Sequence, residues 1–216
     1  MSEGVSSDAM TALNPSDENP QDIYKLLVGS VVPRPIAFVS SMDAEGVRNL
    51  APFSFFTVAS ANPPIVCFCP MIRGNAANSL PPTKDTLRNI LATREFVVNI
   101  VSEEFAVQMN ACSAELPPEV DEFMVSGLTP LASDLVRPPR VAESHVQMEC
   151  RLRQVVHVST GPLGGSLVLG EVLRFHVREA LLNNFRVDPE KLHAIGRMAG
   201  STYARTRDRF DMERPS

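Results

Sequence analysis

A mainly β fold, an antiparallel barrel closed or nearly closed with a few short helices, is predicted for this chain by three observations. The apolar runs are short and rich in β-branched and aromatic residues. Four Pro-Pro pairs, at 63–64, 81–82, 117–118 and 138–139, punctuate them as loops or strand mouths. One stretch, His145 to Arg153, alternates with a strict period of two, placing Val146, Met148, Cys150 and Leu152 on an apolar face and Gln147, Glu149 and Arg151 on a wet one.

Taken in order, residues 1–22 read as a disordered acidic leader of Ser, Asp, Asn, Pro and Glu without apolar period, and residues 23–216 as a single domain. Ile23 to Val28 suits a short helix that stops at Gly29, before a Pro33-Arg34-Pro35 segment that cannot be helical. Ile36 to Met42 reads as a strand and Asp43-Ala44-Glu45-Gly46 as a hairpin turn. Val47 to Ser60 follows as one bent strand or two, broken near Pro52. Ile65–Cys69 and Phe96–Val101 are further strands. Thr83 or Asp85 can cap a helix reaching about Thr93, with Leu87, Ile90 and Leu91 on one face. Ser102 can cap another, with Glu103 and Glu104 in its positive first turn. The period-two strand continues to about Val158, and a Gly161-Pro162-Leu163-Gly164-Gly165 turn returns it as Leu167 to Val177.

Charge narrows the partners. The formal net charge is −5, and Glu3, Asp8, Asp17, Glu18 and Asp22 precede the first Lys or Arg, so the remaining body is electroneutral. A phosphate backbone calls for a basic surplus, so nucleic acid is not an expected partner. No apolar run approaches the ~18 residues needed to span a bilayer, and the leader lacks the basic and apolar regions of a secretory signal. A cytoplasmic protein with no membrane partner is expected. Four cysteines and four histidines show no metal-ligand spacing, so no metal site is expected and the cysteines read as small buried hydrophobes.

Three segments can carry chemistry. Asn49-Leu50-Ala51-Pro52-Phe53-Ser54-Phe55-Phe56 is either core or a strand edge offering donors and apolar walls to a planar ligand. Thr83-Lys84-Asp85-Thr86 combines a lysine, a hydroxyl and free N–H groups at a helix start, which suits an anion, although a plain surface helix looks the same. The polar loop before it, Met71 to Pro82, is long enough to be functional. The tail from Gly196 to Phe210 holds Arg197, Arg205, Arg207 and Arg209 with Tyr203, and is either a solvated surface or an arm reaching over a phosphate or ring. No nucleophile with a readable base and no carboxylate pair emerges, so any chemistry falls to a bound cofactor.

The ordered set PRPIAFVSSMDAEGVRNLAPFSFF, NPPIVCF, KDTLRNI, EFVVNIVS, MNACSA, VDEF, GLTPL, LVLGEV and GRMAGSTYARTRDRF resembles the flavin reductase-like family with the FMN-binding split-barrel fold, over roughly residues 24–212. The resemblance implies a homodimeric split barrel that binds FMN and takes electrons from NADH or NADPH, with a monooxygenase as a partner. Carried over, Ser54, Phe55 and Phe56 line the isoalloxazine and ribityl side, Lys84, Asp85 and Thr86 hold the ribityl and phosphate end, and Asn49, Arg34, Arg197 and Tyr203 complete the site. Smaller flavin reductases often carry an Asp-His pair before the strand corresponding to Leu167–Val177. This chain has Gly165-Ser166 there, which leaves an alternative open: an FMN-binding electron carrier or binding module without nicotinamide turnover.

Overall fold

The computed structural model describes residues 9–72 and 83–215. After a 3-10 turn at Pro15–Asp17, helix α1 runs Pro20–Ser30. It starts three residues earlier than expected, because the Asn19 side chain accepts from the Gln21 N–H and Pro20 supplies a preset φ in the first turn. It therefore begins inside the expected leader and passes through Gly29.

Strands β1 (Ala37–Met42) and β2 (Arg48–Phe53) form the expected hairpin; the Asp43 carboxylate accepts from Val47 N at 2.7 Å and Gly46 takes φ +96°. β3 (Phe56–Ala61) and β4 (Pro64–Phe68) form a second, with a bulge in β3 between Val58 and Ser60. The break between β2 and β3 falls at Ser54-Phe55, not at Pro52. Pro52 stays in the strand because β2 is an edge. Leu50, two residues away and of the same parity, turns its N–H outward to a side chain, so the missing N–H of Pro52 costs no ladder bond.

Helix α2 (Asp85–Thr93) and β5 (Glu95–Ile100) follow, then a 3-10 turn at Glu103–Phe105 leading into α3 (Ala106–Ala111). Lys84, rather than Thr83 or Asp85, occupies the N-cap of α2 and makes no side-chain cap bond. Ser102 likewise makes none, which is consistent with the 3-10 start there. On α2, Leu87 and Ile90 are buried whereas Leu91 is exposed. α4 (Glu122–Ser126) is capped by Asp121. Two-residue strands β6 (Pro130–Leu131) and β7 (Arg140–Val141) precede the long hairpin of β8 (Val146–His157) and β9 (Ser166–Val177). The tail carries β10 (Leu182–Asn183), β11 (Arg186–Val187), α5 (Pro189–Leu192), β12 (Ile195–Arg197) and β13 (Tyr203–Arg205).

Seven strands make one antiparallel sheet in the order β2-β1-β5-β8-β9-β4-β3. Its two edges, β2 and β3, are consecutive in the chain and joined by two residues. Such a link spans about 11 Å at most, so the sheet must curl until its edges meet at that end. Among the described residues no ladder joins β2 to β3, so of the expected closed or nearly closed barrel the closed form is overturned and a curled sheet with one unpaired seam remains.

The inner face packs Val39, Phe68, Phe96, Val98, Cys150 and Val168 with Leu87 and Ile90 of α2 as a plug. On the outer face, Phe38, Leu50, Phe105, Met109 and Phe123 pack under α3 and α4. β1 is thus buried on both sides. One expectation fails on β8: Gln147 and Glu149, placed on a wet face by the alternation, are buried. Both Glu149 oxygens are filled from a loop far away in sequence, by the N–H groups of Asp134 (2.9 Å), Leu135 (2.6 Å) and Val136 (3.2 Å) and by the His176 ring (2.6 Å). Cys67, Cys112 and Cys150 are buried and Cys69 half-buried.

Candidate functional site

Beside β2, between the Ser54-Phe55 junction, the start of α2 and residues 112–116, lies a cleft of about 260 Å³. The Ser54-Phe55 junction forms one side, fixed by the Cys69 N–H donating to Phe55 O at 2.8 Å. Ala51, Pro52 and Phe53 of β2 and Met71 add apolar wall, and Lys84, Asp85 and Thr86 at the start of α2 face them. A smaller cleft of about 150 Å³ shares Pro52, Ser54 and Ser113 with it and is bordered by Arg197 and Tyr203. Together they reach the lower part of the range of about 300–1,000 Å³ that small-molecule sites occupy.

Six of the ten sequence-predicted residues therefore meet in one cleft: Asn49, Ser54, Phe55, Lys84, Asp85 and Thr86. Arg197 and Tyr203 stand in the adjoining one as a stacked pair, the guanidinium 4.5 Å from the ring centroid, with Tyr203 OH donating to Asn110 Oδ1 at 3.1 Å. Phe56 turns away and packs against the inner core. Arg34 is a clamp rather than part of the wall. It is buried, and it donates to Val28 O (2.5 Å), Val31 O (2.7 Å), Met198 O (2.9 Å) and Ser54 Oγ (3.4 Å), tying α1, the tail hairpin and the β2–β3 junction together. Burial and the nearby Arg197 lower its pKa from the usual guanidinium value, with Tyr24 acting the other way. The Arg73–Pro82 part of the expected functional loop lies outside the described residues.

Polarity is divided across the cleft. Lys84 is the one Lys or Arg bordering it among the described residues, while Asp85, Glu115 and Glu122 also border it. Asp85 is paired with Arg88 at 2.5 Å, which offsets its charge. Glu122 was missed in the sequence, where a Glu one residue after an Asp cap resembles a surface first turn. Here it is buried against β2, accepting from Asn49 Nδ2 (2.9 Å) and Leu50 N (3.0 Å). Burial raises its pKa above the ordinary carboxylate value and Asp85 adds to that; the Asn49 and Leu50 donors act in the opposite direction. The Thr86 hydroxyl donates to Asn49 Oδ1 at 2.8 Å.

A second polar group also escaped the sequence. The ligand atoms of Asp134, Glu149 and His176 lie within 4.8 Å of one another. Glu149 is occupied by backbone N–H groups, however, and Asp134 pairs with Arg174 at 2.7 Å, so the trio works as a structural knot.

A cleft with an apolar wall on the β2 side, and a lysine, hydroxyls and a helix start opposite it, suits a flat ligand with an anionic tail. The comparisons with known proteins agree with the class. The chain belongs to the flavin reductase like domain family, whose sequence model matches residues 28–198. It is similar to nitrilotriacetate monooxygenase component B from Bacillus cereus, at 38% identity and a TM-score of 0.89 over 95% of this chain and 100% of that one. It is also similar to 2-nitrobenzoate 2-nitroreductase from Pseudomonas fluorescens, at 31% identity and 0.84 over 95% and 97%. A protein with a split barrel domain from Shewanella frigidimarina shares the fold at 21% identity and 0.78 over 93% and 96%. Among the described residues, no helix is long and apolar enough to cross a membrane.

Proposed function

We propose that this protein is an FMN-binding oxidoreductase that accepts electrons from NADH or NADPH and passes them on as reduced flavin, working as a cytoplasmic homodimer with a monooxygenase as its partner. The observation that carries the reading is the convergence of Asn49, Ser54, Phe55, Lys84, Asp85 and Thr86 on one cleft beside the β2 edge. The split-barrel description is supported by the open edge between β2 and β3, and the partner by the naming of the Bacillus cereus relative as a monooxygenase component.

The residues present fit the cofactor. Pro52, Phe53 and Phe55 give a planar ring its apolar walls, and Lys84 with the first N–H groups of α2 offers the phosphate a cation and donors. A bound flavin supplies the electron-accepting ring; the protein holds that ring in place and shields it from water on the β2 side. Asp85 is held by Arg88, so the charge next to the phosphate end is partly offset. Stacking and orientation, rather than an acid–base pair, are what this cleft provides.

The test is direct. The chain has no Trp and two Tyr, so bound flavin stands out against a weak protein band. Purified protein is mixed with FMN, freed of excess, and its spectrum recorded; it is then mixed anaerobically with NADH or NADPH. Retained flavin that bleaches supports the oxidoreductase. Retained flavin that does not bleach moves the protein to the electron-carrier reading, which Gly165-Ser166 at the start of β9 favours, since it stands where smaller flavin reductases often carry an Asp-His pair. A protein that takes up no FMN excludes both.

A further inference from the structure

Glu122 has no role assigned to it by anything above, yet it governs how the cleft wall is wired. Both its oxygens are filled, one by Asn49 Nδ2 and the other by Leu50 N–H. A carboxylate only accepts, so the Asn49 atom that faces it must be the amide nitrogen. The opposite atom, Oδ1, then accepts from the Thr86 hydroxyl at 2.8 Å. Turning the amide over would set oxygen against oxygen at Glu122, whereas the Thr86 hydroxyl can rotate to accept as readily as it donates. The orientation of Asn49 is therefore fixed by Glu122, and the Thr86 hydroxyl follows it.

An amide nitrogen carries two hydrogens, and Glu122 takes one. Asn49 borders the cleft, and its second hydrogen has no protein partner among the described residues. The Thr86 proton, by contrast, is already committed to Asn49, and Thr86 is only 1% exposed. Of these two neighbours, it is Asn49 that has a donor left to offer.

We propose that Glu122 is a positioning residue: it holds the Asn49 amide so that the second N–H is presented to a hydrogen-bond acceptor of the bound flavin. Resting on the flavin reading above, this makes Asn49 the ligand contact, Glu122 the group that aims it, and Thr86 the hydroxyl that pairs with its oxygen. It also accounts for a buried carboxylate beside a site for an anionic cofactor, where charge alone would argue against one.

Three variants test it: Glu122→Gln, Asn49→Ala and the double substitution, with FMN affinity read by quenching of flavin fluorescence and fold read by thermal unfolding. In Glu122→Gln one of the two acceptors becomes an NH₂ group that must face either Asn49 Nδ2 or Leu50 N–H, so the two-point hold on the Asn49-Leu50 segment is lost in either orientation. FMN affinity is expected to fall roughly tenfold in each single variant, and no further in the double, because both act through one contact. Unchanged affinity in Glu122→Gln overturns the proposal even if its unfolding temperature drops, and so do losses that multiply in the double. If Glu122→Gln fails to fold, Glu122→Met removes the acceptors without adding a donor. Failure of both to fold while Asn49→Ala folds normally makes Glu122 a purely structural group and also overturns the proposal. Wild-type protein that takes up no FMN is a separate outcome, and that one removes the flavin reading itself.

Discussion

Gly170 lies directly against Phe96: a Cβ added at position 170 would stand 2.2 Å from Phe96 Cζ. Gly170 sits in β9 between its partners Val66 and Leu152, and Phe96 is fully buried with its ring edge-on to Phe68 at 5.6 Å. The aromatic ring occupies the place a side chain would take, and Phe68 leaves it little room to retreat.

Gly170→Ala is therefore expected to destabilise the protein by about 2–3 kcal/mol, at the upper end for overpacking in a core. Urea unfolding measures it. A lower midpoint with an unchanged slope is the expected result, and an unchanged midpoint would mean that Phe96 moves freely.

Arg34→Lys is not a mild change here. A lysine has no planar fork to reach Val28 O, Val31 O and Met198 O together while also approaching Ser54 Oγ. Each lost bond to a charged donor is worth about 1.5–3 kcal/mol, partly recovered by the ammonium, so a net loss of about 2–4 kcal/mol is expected. Limited proteolysis locates it: new cleavage near α1 and the β12–β13 hairpin supports the clamp, and an unchanged digestion pattern contradicts it.

Glu149 carries a pH signature. Burial alone would raise its pKa, but the N–H groups of Asp134 and Leu135 and the His176 ring outweigh that and hold it below 4.5. A depressed folded-state pKa gives stability that is full above the unfolded value and is lost as pH falls through the folded one. Glu149→Gln is expected to cost about 2–4 kcal/mol at neutral pH, since an NH₂ group then faces backbone donors. The gap between wild type and variant should narrow as pH drops below 4.5. A gap that stays constant down to pH 3 would show that Glu149 is not the group responsible.

Lys84→Ala separates the two ends of the cofactor. FMN has a phosphate and riboflavin does not, so removing the cation should weaken FMN by about 10-fold or more and leave riboflavin nearly unaffected. Equal losses for the two flavins would place the phosphate elsewhere.

Much of the frame was legible in the sequence. The Asp43–Gly46 turn and the long β8–β9 hairpin follow from turn chemistry and period, whereas the grouping of Asn49, Ser54, Phe55 and Lys84 is an implication of the family resemblance and of nothing local in the chain. What stayed hidden depended on partners distant in sequence. The alternation of β8 marks Glu149 as wet because period two cannot see that the 134–136 loop folds over it. Arg34 is carried into the site by the family resemblance, and nothing local shows that its acceptors are backbone carbonyls, one of them at Met198. Pro52 reads as a break until β2 is known to be an edge strand, a property of the whole sheet rather than of any segment.

The two edges of the sheet are guarded by different means. On β2 the outward N–H of Leu50 is taken by Glu122 and Pro52 has none to give; on β3 the bulge between Val58 and Ser60 spoils the regular spacing a visiting strand would need. An open sheet normally invites main-chain zippering and fibre growth, and this one discourages it at both ends. Any association between two copies is thereby left to side-chain faces, so a sheet that stays open does not also become a template for aggregation.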